Sequence, residues 1–116
     1  MVQLQHVAPQ DIEAESFRII EAELGPTRTA SQPPRDFQGL RRIIHATGDF
    51  SFADTIRFHP QAIDAGLTAI RSGKNILVDV QMAASGVSSA LLSPFGGNVT
   101  CRAHAADTAS LARAHR

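Results

Sequence analysis

His45 follows the apolar pair Ile43 and Ile44 within RRIIHATGDFSFADTIRFHP (41–60), and Asp49 stands four residues further on. Histidine titrates near neutrality, so a sheltered imidazole can give a proton and recover it within one cycle. On a continuing helix Asp49 shares a face with His45, where it can orient the ring or hold its proton. A histidine at the end of a helix also has a plainer use, since the last turn favours a cation. Ser16 is the second residue of interest. It lies four residues after Ile12 and three or four before Ile19 and Ile20, on or beside an apolar stripe, an unusual place for a hydroxyl. The plain alternative is a serine bonded back to its own helix carbonyl.

Other site chemistries find little support. The chain contains no P-loop, no GxGxxG after a strand and no HExxH, the patterns that cradle phosphates or bind zinc. His6, His45, His59, His104 and His115 are dispersed, so no metal site is expected. Cys101 is the one cysteine; it cannot close an internal disulfide and fits a reducing cytoplasm. The net charge is zero, which implies neither a nucleic-acid footprint nor a membrane-surface helix. No apolar run approaches the ~18 residues that span a bilayer. The N-terminus MVQLQHVAPQ lacks the basic-then-apolar order of a secretory signal. The basic residues are lopsided, ten Arg against Lys74 alone. A G+C-rich coding sequence accounts for that, and so does a polycarboxylate ligand gripped by guanidinium forks.

The elements that must position these residues follow from periodicity. With 116 residues, 43% of them apolar, the chain has the length and composition of one soluble domain, 1–116. Asp11 can cap a helix running to about Leu24, where Gly25-Pro26 ends it. Ile12, Ile19, Ile20 and Leu24 make its apolar face. Residues 25–35, GPTRTASQPPR, read as a surface loop. A second helix covers Asp36 to about Ala46, with Leu40, Ile43 and Ile44 turned inward. DFSFADTIRF (49–58) fits either a short strand or an irregular turn. Pro60 starts a third helix carrying Ile63, Leu67 and Ile70, which stops at Gly73. NILVDV (75–80) is then a buried parallel strand, QMAASGV a turn entering a short helix, NVTCRA (98–103) a second strand, and Asp107 the cap of a last helix. The order predicts an α/β fold in three layers with a mostly parallel sheet, incomplete at the C-terminus.

Several linked strings carry a more specific message. IIHATGDFSFADTIRF, then PQAIDAGLTAIRSGKNILVDVQMAASGV, resembles the precorrin-8X methylmutase pattern: a histidine opening an HAT-x-DF element, an FADTIRF-like segment, an AGL-type helix and an Asp-Val-Asn-Met turn. DIEAESFRIIEAELG is similar to the first helix of that family, serine included. The likeness covers nearly the whole chain in the right order. It implies a flavodoxin-like parallel sheet between helix layers, a homodimer with pockets near the subunit interface, and no cofactor. The implied reaction moves the C-11 methyl of precorrin-8X to C-12 and gives hydrogenobyrinic acid in cobalamin biosynthesis, with a cobalt-containing counterpart in the anaerobic branch. His45 would be the proton donor and acceptor. Ser16, Arg42, Thr47, Asp49, Asp79, Gln81 and Met82 would line the tetrapyrrole site. Among them Arg42, three residues before His45, is the candidate clamp for a propionate or acetate; a surface arginine is the alternative. Asp79 and Gln81 follow the strand at its C-terminal end, where open α/β sheets place ligands, and Met82 can lie flat on a macrocycle or pack in a core.

The resemblance has departures. Gln81 stands where the family has asparagine, and His59 where a small residue is expected. Family members continue into Thr-Arg-Ser and Gly-Asn-Ala-Pro segments, the first beginning near where His115-Arg116 closes this chain, so an N-terminal portion of the domain is expected. Such a half-sheet exposes apolar surface and strand edges, which predicts self-association. Two other functions stay open: an inactive homologue that holds a corrinoid precursor or a partner subunit, and an unrelated nucleotide-binding α/β domain.

Overall fold

The structure, a computed structural model, describes residues 8–103, 105 and 107–115; His6 and His104 lie outside them. The chain divides into two units, Met1–Pro60 and Gln61–Arg116.

In the first unit a 3-10 turn, Pro9–Asp11, leads into α1 (Ile12–Ala30). Asp11 stands at the helix start, without a side-chain cap bond. The residues between 25 and 30, expected in a loop, are instead the second arm of α1. Gly25 leaves the helical path at φ 75° and ψ 165°, and Pro26 restarts it at once. Proline suits a first turn, because its missing N–H has no intrahelical partner there. The Thr29 hydroxyl donates to the Gly25 carbonyl at 2.8 Å and closes that short arm. A bend at 31–33 connects it to α2 (Pro34–Thr47), which again has proline in its first turn. α2 ends where Gly48 takes a left-handed conformation, φ 68°, its N–H donating to Ile44 O at 2.7 Å. That is the usual glycine termination. The segment 49–58 is neither strand nor wholly irregular, since it contains one helical turn, α3 (Phe52–Thr55).

Ile20 and Leu24 of α1 meet Phe37, Leu40 and Ile44 of α2, and Phe17, Phe52, Ala53 and Phe58 pack around them. Leu40 and Ile44 are 1% exposed; burying such a side chain contributes about 1.5–3 kcal/mol. Phe37 belongs to this core, whereas Ile43 is half-buried. Ile12 and Ile19, expected inside with Ile20, are exposed. The apolar stripe of α1 is therefore wider than the strip that α2 covers.

In the second unit α4 (Ala62–Arg71) stops at Gly73 in a Schellman turn: Lys74 N–H donates to Ala69 O and Gly73 N–H to Ile70 O, both at 3.0 Å. β1 (Ile76–Val78) pairs in parallel with β2 (Val99–Cys101), Ile76 opposite Val99 and Val78 opposite Cys101. Between them come α5 (Gln81–Gly86), α6 (Ser89–Leu92) and a 3-10 turn, Ser93–Phe95. The Ser88 hydroxyl accepts from Leu91 N–H and caps α6. α7 (Thr108–Ala114) follows β2. The two parallel strands among helices make the fold α/β, as the element order predicts.

β1 is not the buried strand expected. Alternation puts Leu77 and Thr100 on one sheet face and Ile76, Val78, Val99 and Cys101 on the other. The second face is half-buried, while Leu77 is 71% exposed. Two glycines hold the unit's turns together. A Cβ on Gly97 would come within 2.5 Å of Lys74 O, and one on Gly73 within 2.8 Å of Phe95 O. Among the described residues, no helix is long and apolar enough to cross a membrane.

Candidate active site

The helix pair α1–α2 brings together the two residues singled out for chemistry. Ser16 sits in the second turn of α1 and His45 in the last turn of α2, and Ser16 Oγ lies 2.7 Å from His45 Nδ1. That is hydrogen-bonding distance for either direction of the proton. The hydroxyl thus has a partner 29 residues away, beyond the local bond to its own helix that is the plain alternative. Phe17 fixes the ring from another side, its own ring edge-on to the imidazole with centroids 5.4 Å apart and planes 71° to each other.

Beside the pair is a groove of about 430 Å³ walled by the uncovered part of the α1 stripe, Ile12 and Ile19, by the buried Ile20 at its floor, and by Ile44 and Phe50. Ser16 and His45 open into it, as do Glu15 and Gly48. Glu15 is held by Arg18 at 2.6 Å, and that bond lowers its carboxyl pKa. The exposed isoleucines are therefore walls of a cleft. Such a lining keeps water from a bound reactant and strengthens the few polar contacts inside.

Arg42 lies one turn before His45, and its guanidinium is engaged. Nη1 and Nη2 fork onto the two oxygens of Glu13, each at 2.9 Å, and this bond is the main reason the Glu13 carboxyl titrates lower than usual. The Phe17 ring carries both neighbouring cations, Arg41 at 4.2 Å and Arg42 at 5.0 Å from its centroid. Arg41 also pairs with Glu21. Phe17 and Glu13 escaped the sequence reading. Phe17 could have been found, since Phe17, Ile20 and Leu24 recur at i, i+3 and i+7. The Glu13–Arg42 fork depends on how two helices lie together and has no local signature.

The suggested link from Asp49 to His45 needs a helix continuing through residue 49, and Gly48 breaks it. Asp49 instead turns to its own loop: Oδ1 accepts from Ser51 N–H at 2.8 Å, and hydrogen bonding from Ser51 lowers its pKa. Its N–H donates to Thr47 Oγ1 at 3.2 Å, and the Thr47 hydroxyl donates to Ile43 O at 2.8 Å. Thr47 and Asp49 thus shape the exit from α2, an Asx-type turn.

Asp79, Gln81 and Met82 belong to the second unit. Asp79 lines a shallow hollow at the C-terminal ends of β1 and β2 together with Arg102 and Thr108. Arg102 is paired there with Asp107 at 2.7 Å, so Asp107 binds a side chain where a helix cap was expected. Gln81 and Met82 open α5, both exposed, Met82 at 83%.

Comparison with known proteins gives a consistent result. A family model described as precorrin-8X methylmutase matches residues 11–116. The cobalt-precorrin-8 methylmutase of Leptospira interrogans is 41% identical over 92 residues, which are 79% of this chain and 40% of that protein. That of Priestia megaterium is 40% identical over 93 residues, 80% of this chain and 40% of its own length. The precorrin-8X methylmutase of Pseudomonas aeruginosa is 38% identical over 104 residues, 89% of this chain and 48% of that one. Among solved structures, the precorrin-8x methyl mutase of Thermus thermophilus superposes with a TM-score of 0.77 at 39% identity, over 90% of this chain and 50% of that chain. The chain spans half or less of the length of each of these relatives.

Proposed function

The chain belongs to the precorrin-8X methylmutase family, and from that premise we propose that it contributes the acid–base half of a methylmutase site. The observation that carries this reading is the imidazole of His45, hydrogen-bonded to Ser16 in the wall of an apolar groove. The reaction is an isomerisation of precorrin-8X or its cobalt-containing counterpart, and the product of the cobalt-free branch is hydrogenobyrinic acid. His45 delivers a proton to a ring nitrogen of the macrocycle, which makes the conjugated system electrophilic. The methyl group leaves C-11 with its bonding pair and joins C-12, and His45 recovers a proton as conjugation is restored. Nothing is oxidised or reduced, and the proton count is unchanged. A histidine serves both steps because it exchanges protons near neutral pH.

The neighbouring residues take supporting roles in this reading. Isoleucines and Phe50 hold one edge of the ring dry. Arg42 is the carboxylate clamp: its present partner Glu13 is an exposed carboxylate, so a substrate propionate or acetate can replace one carboxylate by another. Thr47 and Asp49 set the chain path beside the ring. Asp79, Gln81 and Met82, at the end of β1 and the start of α5, are candidate ligand contacts of their own unit. A homodimer in the cytoplasm, each pocket completed near the subunit boundary, is part of the same proposal. A second reading, binding of a corrinoid precursor or a partner subunit without turnover, draws on the same apolar groove beside the Ser16–His45 pair.

Titration of the purified chain with hydrogenobyrinic acid tests the first part. A saturable shift in the visible spectrum, weakened in His45→Ala, is expected; no shift with either protein refutes the pocket. Turnover of precorrin-8X or cobalt-precorrin-8 then separates the mutase from the binder.

A further inference from the structure

The Ser16–His45 bond admits two arrangements that differ in which imidazole nitrogen does the work. The hydroxyl can donate to a bare Nδ1, which places the ring hydrogen on Nε2, or it can accept from Nδ1–H, which leaves Nε2 bare. The observed 2.7 Å fits both.

Two features of the site separate them. Asp49, the acidic residue nearest in sequence, is spent on Ser51 and does not compete for Nδ1. Above all, a ring that gains and loses protons must keep its orientation. An imidazolium carries hydrogen on both nitrogens, so its Nδ1 can only donate. If Ser16 donated to the neutral ring, each protonation would force the hydroxyl to reverse. If Ser16 accepts throughout, the same bond serves the cation and the neutral Nδ1–H form, and Phe17 holds the ring edge unchanged.

We infer that Ser16 is a positioning residue that holds neutral His45 as the Nδ1–H tautomer and so makes Nε2 the nitrogen that exchanges protons with a ligand in the groove. Both the tautomer and the use of Nε2 rest on the methylmutase reading, in which His45 cycles its proton while the 2.7 Å contact with Ser16 persists. A hydroxyl suits this task because it is neutral and bonds the ring in either charge state, whereas a carboxylate partner favours the cation.

The test is a long-range ¹H–¹⁵N correlation spectrum of the ligand-free 116-residue chain at a pH where imidazoles are neutral. The His45 signals are identified by their loss in His45→Gln. The expected result is the Nδ1–H pattern in the wild type, its replacement by the Nε2–H-dominated mixture of a free side chain in Ser16→Ala, and its retention in Ser16→Thr. An Nε2–H pattern in the wild type overturns the inference, as does an Nδ1–H pattern that Ser16→Ala leaves unchanged. Because no substrate is present, a chain without turnover can still pass this test, and an active one can still fail it.

Discussion

The two units of the chain solve different problems with similar amounts of sequence. In the first, α1 and α2 enclose Leu40 and Ile44 almost completely, and the apolar residues they leave uncovered form a groove around one polar pair. In the second, Leu92 is the one buried apolar side chain outside the half-buried sheet face among the described residues, while Leu77, Met82 and Leu91 are largely exposed. The contrast separates a packed two-helix core with a groove at its side from a backbone frame that displays apolar surface. Van der Waals contact stabilises the first; glycine-tight turns and one parallel ladder organise the second.

The sharpest way to break that contrast is to truncate one leucine in each unit. Leu40→Ala should cost about 2–5 kcal/mol, the usual loss for a large buried side chain, whereas Leu77→Ala should stay within about 0.5 kcal/mol. Urea unfolding followed by circular dichroism compares them directly, and equal losses would show that Leu77 is packed as tightly as Leu40. In the second unit the turns are the weak point. Gly97→Ala drives a Cβ toward Lys74 O at 2.5 Å and should lower stability by more than about 1 kcal/mol, with loss of hydrogen-exchange protection at Ile76 N–H. An alanine accepted there at no cost would mean the β1–β2 approach is loose.

Smaller effects sharpen the comparison. If the displayed apolar surface meets a second copy, sedimentation should show concentration-dependent association of the whole chain that a Met82→Ser, Leu91→Ser double variant reduces. An unchanged distribution would place the contact elsewhere. The smallest effect is electrostatic and belongs to the first unit. The Glu13 carboxyl has its pKa lowered from 4.5 by Arg42, so the pair's contribution is complete above that value and fades as pH falls through the lowered one. A carboxyl titration by NMR should show Glu13 below its ordinary value, and Arg42→Gln should return it. Added salt should weaken the effect, since both groups are exposed.

How far the sequence disclosed this molecule differs residue by residue. Helices α1, α2 and α4 are written in apolar spacing, and the short parallel strands in β-branched runs such as NILVDV. Gly25-Pro26 was legible as a break and not as a restart, because proline both ends one helix and suits the first turn of the next. Ser16 and His45 were each conspicuous alone. That they bond is a fact about the crossing of two helices, which local periodicity cannot contain. Asp49 misled for a related reason: four-residue spacing implies a shared face only while the helix lasts, and one left-handed glycine ends it. Burial of β1 was overestimated because composition reports what a strand can bury, while neighbouring structure decides what it does bury.

The groove wall has an optical consequence. Phe50 borders the Ser16–His45 pair, and the chain contains neither tryptophan nor tyrosine. The protein is therefore almost dark in the near ultraviolet, and Phe50→Trp would place its sole indole fluorophore at the mouth of the cleft. A tetrapyrrole settling there would extinguish that emission by energy transfer, turning occupancy into a signal without a background.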